Sequence, residues 1–285
     1  MKEKTRAILC IIMSGAAFSF MNVFVRLSGD LPTIEKAFFR NLIAAVIAFV
    51  ILMKSGTGLK YERRHLPMLL MRSVCGMTGV LCNFYAIDRM NISDASILNK
   101  LSPFAAVVFS IFMLKEKVNY KQVLSLICVF IGALLVIKPT FNLTEFVPGL
   151  MGFAGGVAAG AAYTAVRHLG RNGAKGPQIV FFFSAFSTVT MLPFVIIFYE
   201  PMSWLQLVYL LMAGVFAALG QFSITAAYSH APAKEISIFD YCQIIFSAIL
   251  GFIFFAQMPD RLSFLGYAII IGVSFLSWRR EMKPA

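Results

Sequence analysis

Ser93 to Lys117 reads SDASILNKLSPFAAVVFSIFMLKEK. The stretch is long enough to cross a bilayer once as a helix. It carries a cation, Lys100, inside the apolar run and a proline, Pro103, near its middle, and Lys115-Glu116-Lys117 closes it. A related stretch returns 141 residues later, Lys234 to Met258, KEISIFDYCQIIFSAILGFIFFAQM. At that offset Ser96 meets Ser237, Ile97 meets Ile238, Asn99 meets Asp240 and Glu116 meets Gln257. The chain therefore reads as two copies of one membrane unit.

Composition agrees. The 285 residues are 59% hydrophobic and 13% charged, with mean hydropathy +0.81. A soluble chain of this size would expose too much apolar surface. Apolar runs of about 18 or more residues recur and are continuous rather than alternating, which selects helices over a barrel. The net charge of +12 does not point to nucleic acid. The basic residues lie between spans and form no continuous groove. Cys10, Cys75, Cys82, Cys128 and Cys242 lie in apolar runs with no C-x-x-C spacing, so buried unpaired thiols are expected. His65, His168 and His230 share no metal-ligand spacing. No metal and no cofactor are expected.

Ten spans fit, at about 6–27, 32–53, 66–88, 93–115, 119–138, 148–169, 177–199, 203–229, 233–257 and 261–278. The basic, then apolar, N-terminus has the look of a signal peptide. Yet it has a partner at the same offset, where Gly15 meets Gly156, Ala17 meets Ala158 and Arg26 meets Arg167. It is read as the first span. With the N-terminus inside, the cytoplasmic segments hold 17 Lys and Arg and the outer segments hold 5. That bias puts both termini in the cytoplasm. Five spans per copy is an odd number, so the second copy enters from the opposite face. The expected fold is all-α and integral to the membrane, ten transmembrane helices as two inverted five-helix repeats, 1–140 and 141–285. Such repeats recur in transporters, with the solute site near the midplane between them.

Ionisable residues within spans are costly and mark function. Lys100 and Asp240 are the leading pair of site residues, followed by Arg40, about eight residues or roughly 12 Å into its span. Arg72 lies nearer a span end and is read as able to snorkel to the surface. Pro103 cannot donate to the Asn99 carbonyl. A mid-helix bend there would gather a freed carbonyl, Asn99 and Lys100. Lys100 and Asp240 each lie about seven residues, roughly 10 Å, into spans that start from opposite faces. In a core of about 30 Å they would differ in depth by about 10 Å unless the helices tilt or break, so a direct ion pair is open but not expected. Asn22, Tyr85, Tyr163, Gln221, Tyr241 and Gln243 complete the candidate substrate-binding set. Asp240 is the candidate for proton coupling. Three cations against one anion favour an anionic or zwitterionic solute. Gly152, Gly156 and Gly160, spaced by four, predict a close helix contact.

The run from Arg72 to Pro139, RSVCGMTGVLCNFYAIDRMNISDASILNKLSPFAAVVFSIFMLKEKVNYKQVLSLICVFIGALLVIKP, resembles the EamA-type drug/metabolite transporters. Tyr85-Ala86, Ala95, Pro103, Glu116, Gly132 and Arg40 carry the likeness. The second copy departs from it, with Ile244 and Gln257 where proline and glutamate are usual. The resemblance implies a ten-helix carrier of the inner membrane with a central cavity, for a small organic molecule such as an amino acid or cofactor-like solute. It would work by alternating access in a lipid bilayer, as a monomer, with a homodimer as the alternative. No phosphate-binding G-x-x-x-x-G-K-[ST] loop is present, which argues against an ATP-driven pump. The competing class is a membrane-embedded enzyme acting on a lipid or isoprenoid. It needs clustered carboxylates at a membrane face, and those here are scattered.

Overall fold

The computed structural model describes residues 2–56, 58–89, 98–137, 146–256 and 258–281. Every regular element in them is helical: α1 (Lys2–Leu27), α2 (Thr33–Lys54), α3 (Leu66–Arg89), α4 (Ser102–Leu114), α5 (Tyr120–Ile137), α6 (Phe146–Arg171), α7 (Gly176–Ile197), α8 (Trp204–His230), α9 (Ala233–Ile236), α10 (Cys242–Phe255) and α11 (Arg261–Glu281), with short 3-10 turns at Arg63–His65 and Ser237–Tyr241. Among these residues nine helical stretches are long and apolar enough to cross a membrane, and α4 is a shorter apolar helix. The protein is an all-α, multi-span membrane protein. Large apolar side chains such as Phe112, Val189, Ile196, Ile197, Phe264 and Leu276 face outward. In lipid that is the expected outer surface, because only the backbone needs its hydrogen bonds satisfied from within.

Helix limits follow the sequence expectation to within a few residues, except in the fourth and ninth spans. A continuous helix over 93–115 was expected. Residues 93–97 lie outside the described residues, as do Ala95 and Gln257. Leu98 and Asn99 are helical, Lys100 and Leu101 form a turn with the Leu101 N–H on the Leu98 carbonyl at 3.1 Å, and α4 begins at Ser102. Its 13 residues extend about 20 Å, short of a core of about 30 Å. Pro103 lies just after this break and supplies no N–H to the Asn99 carbonyl. It sits in the first turn, where a missing N–H costs no intrahelical bond. The ninth span is interrupted likewise: α9 gives way to a 3-10 turn over Ser237–Tyr241 before α10 starts.

Both α4 and α10 end on a residue in the left-handed region, Lys115 at φ 53° and Ala256 at φ 53°. These two are the non-glycine residues of positive φ among those described, and they stand 141 positions apart.

Packing pairs α1 with α8 and α3 with α6, each extensively, while α2 lies on α7 and α5 on α11. The glycine stripe of α6 meets its expectation of close contact. A Cβ at Gly152 would strike the Leu98 side chain, one at Gly156 the Leu98 carbonyl, and one at Gly160 Ala105 and the Ala106 backbone. The stripe thus seats the interrupted segment directly against α6, and Thr164 Oγ1 bonds the Ala106 carbonyl at 3.3 Å. At the other break, α1 holds α10. Ser19 Oγ donates to the Gln243 carbonyl at 3.1 Å and lies 3.0 Å from Ser247 Oγ. All five cysteines are free and only partly buried, where buried thiols were expected.

Candidate functional site

The two interruptions meet. Lys100 leaves the turn before α4, and its Nζ donates to Asp240 Oδ2 at 3.1 Å, to Gln243 Oε1 at 2.6 Å and to the Asp240 carbonyl at 3.3 Å. Tyr241 returns the contact, its hydroxyl donating to the Lys100 carbonyl at 2.7 Å. The side chains of Lys100 and Asp240 are only 12% and 7% exposed. The direct ion pair, not expected of unbroken helices, is present. The depth estimate assumed continuous α-helices that begin at the two faces. Both are broken, and their polar residues sit where the half-helices meet. Non-helical backbone at membrane depth is tolerated only when protein or a cavity satisfies it, and here the Tyr241 hydroxyl satisfies the Lys100 carbonyl and Lys100 Nζ the Asp240 carbonyl.

A second polar group lies next to the first. Tyr163 of α6 stacks on Tyr228 of α8, with ring centroids 4.9 Å apart and planes 11° from parallel. The Tyr228 hydroxyl lies 3.3 Å from Ser237 Oγ in the 3-10 turn. Tyr163 is within Coulombic range of Asp240 on one side and of Arg40 and Arg72 on the other. Arg40 is 5% exposed, and its Nε–H donates to Met21 Sδ at 3.1 Å, a weak acceptor. Arg72 does not snorkel. It is 4% exposed, lies 4.1 Å over the Phe183 ring and donates from Nη2 to Gln221 Oε1 at 2.8 Å. Its aliphatic stem turns inward because Gly76, one helical turn on, leaves room for the guanidinium: a Cβ there would overlap Nη1.

Of the ten residues singled out in the sequence, Lys100, Asp240, Tyr241 and Gln243 form one bonded cluster, Tyr163 is within Coulombic range of Asp240, Arg40 and Arg72, and Gln221 is bonded to Arg72. Asn99 stands beside Lys100 in the broken turn, partly buried. Two lie apart. Asn22 is exposed on α1, and Tyr85 sits beneath the Arg89 guanidinium, 4.1 Å from ring centroid to Cζ. Arg72 was undervalued. The signal that identifies it is the glycine four residues later, which only the packed helix makes meaningful. Glu35, 1% exposed, was passed over. It accepts the Glu200 N–H at 2.6 Å, and so ties the start of α2 to the end of α7.

Interrupted helices that meet around buried charges, in an all-α multi-span chain, are an arrangement that recurs in membrane carriers. The sequence matches the EamA-like transporter family twice, over residues 5–138 and 148–279, and the chain belongs to that family. It is 33% identical over 278 residues to the pseudopaline exporter CntI of Pseudomonas aeruginosa, covering 97% of this chain and 96% of that one. It is 27% identical over 292 residues to a riboflavin transporter of Brucella anthropi, covering 95% and 98%. A crystal structure sharing 16% identity superposes with a TM-score of 0.84 over 98% of this chain and 100% of that one, a likeness of fold.

Proposed function

We propose that the protein is a secondary transporter that moves a small organic metabolite, anionic or zwitterionic, across the cytoplasmic membrane by alternating access. Membership of a transporter family supports transport of a small solute. The observation that carries the finer reading is the Lys100–Asp240–Gln243 cluster, bonded at 3.1 and 2.6 Å across two helix breaks. A buried charge pair held by interrupted backbone is costly to keep. It suits a site that exchanges its internal ion pair for contacts with a solute.

Two inverted five-helix repeats, 1–140 and 141–285, organise the proposed carrier. Three observations support them: the two family matches, the paired left-handed caps at Lys115 and Ala256, and packing that exchanges α1–α8 for α6–α3 when the halves are swapped. Both termini are cytoplasmic in this reading, and one chain suffices. Lys100, Asp240, Tyr241 and Gln243, with Arg40, Asn99, Tyr163 and Gln221, bind the solute. Asn22 and Tyr85 line its path. Asp240 takes up the coupling proton when the solute displaces it from Lys100. The direction is export, as for the Pseudomonas relative.

The test is counterflow in liposomes holding the purified protein, run with amino acids, cofactors, organic acids and neutral solutes, with and without a pH gradient. The expected result is counterflow of at least one organic anion or zwitterion, made concentrative by the gradient. No counterflow for any solute class would overturn the transporter reading.

A further inference from the structure

The charges around Tyr163 do not balance. Lys100 and Asp240 cancel each other. Arg40 and Arg72 do not cancel: among the described residues no carboxylate lies within 4.0 Å of either guanidinium. Arg40 is 5% exposed and Arg72 4%, and the Arg72 Nε is buried with no hydrogen-bond partner. A guanidinium stays charged under all working conditions. Two of them, buried with only a thioether, an amide and an aromatic face for company, form a costly arrangement. Arg40 is within Coulombic range of Arg72, and both are within range of Tyr163.

The pole is also built once. At the 141-residue offset Arg40 meets Phe181, Arg72 meets Ala213 and Gln221 meets Val80. The contacts that hold the repeated unit together recur in both halves, whereas this cationic pair is absent from the second. It is therefore no requirement of the repeated unit.

We propose that Arg40 and Arg72, with Gln221 orienting Arg72, form an anion-binding pole, and that the transported solute is a polyanion with two or more carboxylate-like groups. This deepens the transporter reading and rests on it. A zwitterion brings one carboxylate for two guanidinium groups. A solute bringing two negative charges neutralises it, and Arg forks match carboxylates two bonds at a time. Asp240 and Lys100 then face the remainder of the solute.

The experiment measures thermal stabilisation of the purified protein by butyrate, succinate and citrate at matched ionic strength, with sodium chloride as reference. Ligands that bind only the folded state raise its melting temperature. Succinate and citrate are expected to act at concentrations about tenfold or more below butyrate, the scale of one added charge-assisted contact. Arg40→Met and Arg72→Met are expected to melt no lower than wild type without solute, because each removes an uncompensated charge, and to lose the preference for the polyanions. Should Arg72→Met fail to fold, Arg72→Lys keeps the charge without the fork and must lower the citrate-to-butyrate ratio. The proposal is overturned if the polyanions stabilise the wild-type protein no better than sodium chloride, or if the variants keep the wild-type ratio. Counterflow of neutral or cationic solutes would then leave the transporter reading standing. Absence of all counterflow would remove that reading instead.

Discussion

The Lys100 ammonium and the Asp240 carboxylate, 140 residues apart in the chain, lie 3.1 Å from each other between two broken helices. The contact joins the two halves of the molecule at their interruptions. It makes the local geometry of each break depend on the other.

Removing one member of such a buried pair strands the other. Asp240→Asn should cost about 3 kcal/mol, the low end for a broken buried pair, since Lys100 keeps Gln243 and the Asp240 carbonyl. Lys100→Met/Asp240→Asn should recover most of that loss. Neither variant should concentrate solute, and Lys100→Met should weaken solute binding about tenfold or more. Melting temperature, binding and accumulation with and without a pH gradient check these outcomes together. Normal accumulation by Asp240→Asn would remove it as the coupling residue.

Gly160 lies against Ala105 and against the backbone at Ser102 and Ala106. Gly160→Ala should therefore lower stability by about 1–3 kcal/mol, as overpacking does, and disturb the turn that presents Lys100. Gly272, within α11, has nothing within 4 Å of a Cβ. Gly272→Ala should raise stability by about 0.5–1 kcal/mol. Thermal unfolding of the two variants side by side reads the difference, and equal melting temperatures would refute the close contact at Gly160.

Glu116 accepts from Arg167 Nε at 3.3 Å, with side chains 9% and 15% exposed. Arg167 Nη1 also donates to the Ser229 carbonyl at 3.1 Å, so the pair ties the end of α4 to α6 and α8. Glu116→Gln should cost about 3 kcal/mol. A double-mutant cycle with Arg167→Gln should return a coupling of about 1 kcal/mol or more. A coupling near zero would mean that the helices are held by packing alone.

Gly76→Ala places a methyl group where Arg72 Nη1 now lies. The guanidinium must move away from Gln221 and Phe183. Transport should fall several-fold, with a smaller change in melting temperature than in Gly160→Ala. Full transport by Gly76→Ala would show that the inward position of Arg72 is not needed.

Much of this was legible in the chain. Continuous apolar runs can only be helices in lipid, because a backbone without water must bond within its own segment. That physics set the spans, and nearly all limits agree with the observed helices. The recurrence of Ser96, Ile97 and Asn99 as Ser237, Ile238 and Asp240 marked the two segments that break. Lys100, Asp240 and Arg40 were conspicuous because charge inside a span is expensive wherever it points.

What the chain by itself determined, then, was the set of spans, their twofold kinship and which residues are too costly to be incidental. The tertiary structure alone decided how those residues meet. Hydropathy reports how deep a residue lies on an ideal helix, and it is blind to a helix that stops. Pro103 marks where a helix can give way, but the break at Lys100 and Leu101 and the short helix that starts at Ser102 against Gly160 come from the packed structure. Likewise an arginine near a span end reaches surface or interior at similar cost in sequence terms. Room at Gly76, the Phe183 ring and the Gln221 amide turned Arg72 inward, and these come from three different helices.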